Sequence, residues 1–266
     1  MRNNHCATVN RRHLLKLLLA APLLRCASGE EVAHAGRLMA RPTKPTHNGA
    51  VGNVEPLALG SAERDGVVYA APDGDRASRP LLLLLHGATG SGAHLLKRVQ
   101  SQITTPGVVI AAPDSRGMTW DVVRSGLGPD VAFIDEMLRA IFDRYAVDRA
   151  RIAVAGFSDG ASYALTLGLT NGDLFRHVMA FSPGFLSLKK PSAERPRVFI
   201  AHGREDDILS FEESGQRVAG MLERGGYDVT FRPFDGGHTV KPEVVRQAMA
   251  WWSLPAPPRP AILPSS

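Results

Sequence analysis

The chain has 266 residues, 44% hydrophobic and 21% charged, which is ordinary for a soluble globular protein and long enough for one large α/β domain with a substantial core. Its formal charge of +5 is uneven: residues 1–35 hold five of the 31 basic and two of the 26 acidic residues, leaving 26 against 24 in the rest, without a basic stripe interleaved with aromatics, so nucleic acid is not expected as a partner. The two cysteines, Cys6 and Cys26, lie in or beside that basic start, so the presumed mature domain has no disulfide framework.

Residues 1–35 read as an export leader. Asn10-Arg11-Arg12-His13-Leu14-Leu15-Lys16 resembles a twin-arginine signal, and the apolar stretch Leu14–Leu24 covers 11 residues. That is short of the roughly 20 residues a membrane-spanning helix needs, so no stable membrane span is expected. Val32-Ala33-His34-Ala35 offers a cleavage pattern and a mature start near Gly36, which predicts a periplasmic or extracellular protein; lipid anchoring at Cys26 ranks second because Arg25 before it is a poor fit. Residues 36–56, rich in Pro, Gly, Thr and Asn, read as a linker, residues 57–254 as the folded domain, and residues 255–266 as a proline-rich loose tail.

Within the domain, strand and helix patterns alternate. Strands are expected at Val67–Ala70, Leu81–Leu85, Val108–Ala111, Ile152–Ala155, His177–Phe181 and Val198–Ala201, with an edge strand at Val229–Phe234. Helices are expected at Ala93–Ile103, Asp130–Tyr145, after Ser158, at Phe211–Arg224 and at Pro242–Trp252. This order predicts a mainly parallel twisted sheet covered on both faces, with its ligand site at the carboxyl ends of the strands.

Four stretches at those ends carry chemistry. Gly156-Phe157-Ser158-Asp159-Gly160 follows an apolar strand and precedes a helical segment, the context in which G-x-S-x-G forms a nucleophile elbow with an exposed serine hydroxyl. His86-Gly87-Ala88-Thr89-Gly90-Ser91-Gly92 can aim the Ala88 N–H at a developing oxyanion beside the Asp159 N–H. It lacks the Gly-Lys-Ser/Thr ending of a phosphate loop and the dinucleotide fingerprint, and its His86 reads as structural. After Val198–Ala201 come Asp206 and Asp207; Asp206 is the preferred acid to orient a histidine, with Asp207 its rival. Asp235-Gly236-Gly237-His238 brings the histidine, while His94, His177 and His202 read as surface or core residues.

Ser158, Asp206 and His238 are separated by 48 and 32 residues and follow the serine, acid, histidine order of α/β-hydrolases. From about Val67 to Trp252 the chain resembles the phospholipase/carboxylesterase branch of that superfamily. The likeness rests on Leu85–Gly92, on Ala112-Pro113-Asp114-Ser115-Arg116-Gly117-Met118-Thr119-Trp120-Asp121, on the elbow, on His202–Asp207 and on Gly236-Gly237-His238. It implies an α/β-hydrolase fold with no large cap and a serine esterase acting on carboxylic or thio esters, with no metal or organic cofactor. The family commonly has glutamine at the position of Asp159 and Asp-Pro at Asp206-Asp207. Trp120 is placed at the substrate pocket. A small-molecule ester of short or medium acyl length is the expected partner, with polyester or feruloyl ester hydrolysis and a non-catalytic binding module as alternatives; nothing in the sequence sets an oligomeric state.

Overall fold

Five successive leucines, Leu81–Leu85, are almost wholly removed from solvent, and strand geometry divides them between the two faces of a sheet. Leu81, Leu83 and Leu85 enter one core, which includes Met137, Leu138, Ile141, Leu165 and Leu222; Leu82 and Leu84 enter the other, with Leu95, Leu96, Val244, Val245 and Trp252. A strand with both faces covered has no polar side to show, which is why this run does not alternate.

In the computed structural model, which describes residues 36–60, 64–72, 77–124 and 126–254, the strands are β1 (Val54–Pro56), β2 (Val67–Ala70), β3 (Arg79–Leu85), β4 (Val109–Ala112), β5 (Val147–Phe157), β6 (His177–Phe181), β7 (Arg197–Gly203) and β8 (Val229–Phe234). Their order in the sheet is β1-β2-β4-β3-β5-β6-β7-β8, antiparallel from β1 to β4 and parallel from β4 to β8. The helices are α1 (Gly92–Val99), the short α2 (Asp121–Arg124), α3 (Pro129–Arg144), α4 (Asp159–Thr170), α5 (Arg217–Arg224) and α6 (Pro242–Ser253). Helices α3, α4 and α5 contribute to the first core and α1 and α6 to the second. Residues 183–196 carry neither helix nor strand, so no cap covers the strand ends there.

Most expected elements are present with ends moved by a few residues. The helix expected at Ala93–Ile103 is α1, capped by the Ser91 side chain accepting from His94 N–H, followed by a single 3₁₀ turn at Gln100–Gln102. The one expected at Phe211–Arg224 opens as a π turn, Glu212–Gln216, before α5.

Residues 36–56 are not a free linker. Leu38 is fully buried, its N–H donates to Asn171 Oδ1 at 2.8 Å, and the N–H groups of Met39 and Ala40 both donate to Asp135 Oδ1. Arg37 and Arg41 pair with Asp173, the Tyr145 hydroxyl donates to Ala50 O, and β1 extends the sheet. Every one of these partners lies 90 or more residues away or across the sheet edge, so local composition cannot register them. The readings of residues 1–35 as a leader and 255–266 as a tail lie outside the described residues. Among the described residues no helix is long and apolar enough to cross a membrane.

Candidate active site

Strand β5 runs out at Phe157 and α4 begins at Asp159, leaving Ser158 between them at φ 57° and ψ −122°. A non-glycine residue held there costs on the order of 1–3 kcal/mol, and the surroundings must over-determine it. They do: the Ser158 N–H donates to Phe181 O on β6, and the Ser158 carbonyl accepts from Ala161 and Ser162 N–H in α4. The flanking glycines permit the close approach. A side-chain carbon on Gly156 would stand 2.1 Å from Gly160 O, and one on Gly160 2.2 Å from Leu85 O at the end of β3.

His238 arrives from the loop after β8. Gly236, at φ 135°, turns that loop, whose carbonyl at Gly236 accepts from Glu205 N–H. Arg98 of α1 donates to Thr239 Oγ1 at 2.6 Å, Lys241 donates to Asp235 O, and the Phe157 ring lies 4.8 Å from the imidazole. Thus held, His238 places Nε2 2.9 Å from Ser158 Oγ and Nδ1 2.7 Å from Asp206 Oδ2. Because a carboxylate can only accept, Nδ1 carries the proton and Nε2 is free to take one from the serine.

Asp206 has a side chain with no solvent exposure. Burial alone would raise its pKa, but the Leu209 N–H, the His238 imidazole and the Ile208 N–H together hold it below the usual carboxylate range. Its rival Asp207 is exposed, and the hydrogen bonds of the His238 ring go to Asp206 and Ser158. The structure therefore brings Ser158, Asp206 and His238 into one hydrogen-bonded chain.

The loop after β3 passes beside the serine: a side-chain carbon on Gly87 would be 3.3 Å from Ser158 Cβ. The loop is closed by Gly90 N–H on Gly87 O and by Thr89 N–H on Met118 O. His86 is buried, donates from Nδ1 to Gly87 O at 2.6 Å and accepts at Nε2 from Ser115 N–H; burial lowers its pKa, so it is a neutral brace. Among the described residues neither the Ala88 nor the Asp159 N–H has a hydrogen-bond acceptor. The Asp159 carboxylate accepts from Thr119 Oγ1 at 2.6 Å, a tie absent from the sequence reading. No group of three or more His, Cys, Asp or Glu side chains suited to a metal occurs among the described residues.

Trp120 does not line a substrate pocket. It has no exposed surface, donates from Nε1 to His86 O at 2.7 Å, and stacks on Tyr163 of α4 at 5.0 Å. The ring thus ties the backbone at the end of β3 to α4.

A mostly parallel sheet sandwiched by helices, with a serine on a strained strand-to-helix turn and its histidine and acid after later strands, defines the α/β-hydrolase class. Residues 130–253 match the phospholipase/carboxylesterase family. The chain is 31% identical over 119 residues to acyl-protein thioesterase 1 of Gibberella zeae, an alignment covering 41% of this chain and 50% of that protein. It is 24% identical over 184 residues to the probable feruloyl esterase C of Aspergillus oryzae, covering 65% and 67%. Its fold is similar to that of the Bacillus cereus carboxylesterase, with a TM-score of 0.58 at 22% identity over 72% of this chain and 94% of that one. The chain spans about half the length of the thioesterases it matches.

Proposed function

We propose that the protein is a serine hydrolase that cleaves carboxylic esters or thioesters through an acyl-enzyme. The observation that carries this reading is the His238 Nε2 to Ser158 Oγ contact of 2.9 Å, with Nδ1 of the same ring on Asp206. His238 removes the Ser158 proton as Oγ attacks the carbonyl carbon. The tetrahedral oxyanion accepts from the N–H groups of Ala88 and Asp159, and protonated His238, stabilised by Asp206, returns the proton to the leaving alcohol or thiol. Water activated by the same imidazole then releases the acid.

Small to medium acyl groups suit this site. The apolar cavity behind Phe157 is about 10 Å³, room for one water and not for an acyl chain. On the open surface, Met118, 71% exposed, and Ile208, 67% exposed, offer apolar contact from the loops after β4 and β7. The Asp159 carboxylate opposes anionic acyl groups. Feruloyl ester hydrolysis is the second reading, favoured by the broader similarity to the Aspergillus oryzae feruloyl esterase.

The test has two arms. A fluorophosphonate probe should label the wild type and not Ser158→Ala; an unlabelled wild type would mean a binding module that keeps the fold without the chemistry. A p-nitrophenyl ester series from acetate to palmitate, run beside methyl ferulate, should peak at short or medium chains, and a maximum at palmitate or exclusive turnover of the ferulate overturns the acyl assignment. The leader-like residues 1–35 support export, so cell fractionation should recover the protein outside the cytoplasm, with Arg11→Lys together with Arg12→Lys retaining it inside.

A further inference from the structure

Asp206 touches two imidazoles, and only one of them reaches Ser158. The other is His202, near the end of β7, whose side chain has no solvent exposure. Its Nε2 lies 2.8 Å from Leu209 O and 3.1 Å from Asp206 Oδ2. Both partners only accept, so Nε2 carries the ring proton and shares it between them. Nδ1 is therefore bare, and among the described residues it is buried with no hydrogen-bond partner. Against it stands the backbone of Gly215, where a side-chain carbon would come within 2.3 Å of Nδ1. Gly215 belongs to the π turn Glu212–Gln216, and π turns recur at functional positions because they reset which residues face inward.

A second proton on this ring, at the buried Nδ1, would have no acceptor among the described residues. Burial lowers the His202 pKa, outweighing the Leu209 carbonyl and the Asp206 charge that raise it, so the ring is neutral with one tautomer.

We propose that His202 is a positioning residue for the Ser158 relay: its Nε2–H occupies the remaining lone pair of Asp206 Oδ2 and locks the carboxylate plane in the orientation that receives His238. The proposal rests on the hydrolase reading given above. Ile208 and Leu209 N–H donate to Oδ1, the His238 imidazole lies on Oδ2, and His202 Nε2 stands 3.1 Å from Oδ2, so both oxygens are held from two sides. Neutrality matters as much as the bond. A cation at this position would cancel the charge that stabilises the His238 imidazolium, whereas a neutral N–H fixes direction and leaves the charge in place. Packing alone would require only a ring beside Phe211, whose centroid is 6.0 Å away.

The experiment compares His202→Phe, which fills the space without a donor, with His202→Gln, whose amide nitrogen reaches the Nε2 position. Turnover of p-nitrophenyl acetate is expressed per site titrated with a fluorophosphonate. In His202→Phe kcat should fall about tenfold, the weight of one lost hydrogen bond, with KM within about twofold, and His202→Gln should recover most of the loss. A His202→Phe kcat within about twofold of wild type, or a His202→Gln enzyme as slow as His202→Phe, overturns the proposal. If His202→Phe lacks a cooperative thermal transition, Gly215→Ala takes its place: the added methyl displaces the ring without removing a polar group, and an unchanged kcat overturns the proposal. If the wild type is not labelled at all, it is the nucleophile reading that fails. The low-field proton resonance of His238 Nδ1–H then tests His202 without turnover: it should shift in His202→Phe and return in His202→Gln, and an unmoved resonance overturns the proposal.

Discussion

The loop after β7 and the segment from the end of β4 into the first turn of α3 both bury aspartates, yet they treat the charge in opposite ways. Asp206 meets two backbone N–H groups and two imidazoles, and its pKa is held down despite burial. Asp130 also accepts two backbone N–H groups, from Arg116 and Asp121, but burial and the neighbouring Asp121 carboxylate push its pKa up to about 6. Backbone donors are equal in number in the two loops. What differs is the second neighbour: an imidazole that becomes positive in one, another carboxylate in the other. The first arrangement suits an acid that must stay ionised while a proton moves nearby. The second suits a scaffold, in which the Asp130 and Asp121 carboxylates tie down Arg116, Asp121 and Gly128 N–H.

The sharpest way to break this comparison is to neutralise the β7 acid. Asp206→Asn keeps the shape and removes the charge, and kcat for p-nitrophenyl acetate should fall about 10⁴-fold, while Asp207→Asn stays close to wild type. The reverse outcome, with Asp207→Asn inactive, would move the acid by one residue.

On the other side, the β4 loop should respond in stability. Trp120→Ala removes a buried ring and its bond to His86 O, and unfolding free energy by urea titration should drop about 3–5 kcal/mol. Trp120→Phe retains most of the stability and leaves KM for short esters unchanged, the opposite of what a substrate contact would give.

Smaller effects separate burial with a partner from burial without one. His177, buried with neither ring nitrogen bonded among the described residues, has its pKa lowered to about 4 by burial and then by Arg197. A depressed histidine contributes stability above its unfolded pKa of about 6.5 that is lost as pH falls toward 4. His177→Phe should therefore flatten the acid loss between those pH values by about 2 kcal/mol. Asp130 has the other sign: its raised pKa favours the fold at low pH, and that advantage disappears as pH rises through about 6. Asp130→Asn should deepen the loss between pH 6.5 and 4 by about 2 kcal/mol, measured as thermal stability across the same buffers. If both substitutions change the slope in the same direction, the assignment of these two groups is wrong.

Much of the architecture was legible in advance because its signals are local. The leucine run of β3, the alternation of apolar strands with helical segments, and the glycines on either side of Ser158 are each contiguous, so strand, turn and helix follow from neighbours along the chain. Residues 36–56 were misread for the converse reason: their acceptors, Asn171 and Asp135, are brought near by α3 and α4. Trp120 was misplaced because a tryptophan after a strand end reads equally as a pocket wall or as a packing ring. Its stacking on Tyr163 decides between them. From the sequence His202 reads as a surface or core residue, and it is buried; its approach to Asp206 depends on a loop that closes back within four residues and on the π turn that follows.

By itself the sequence determined which residues could react, since the serine elbow, the histidine loop and the paired aspartates are fixed by residue type and by the strands that precede them. Only the tertiary structure decided between Asp206 and Asp207, turned Trp120 inward and set a second imidazole on the acid. These choices rest on distances between side chains far apart in the chain and on which of two adjacent residues is shielded from water, and neither quantity is carried by order along a polymer.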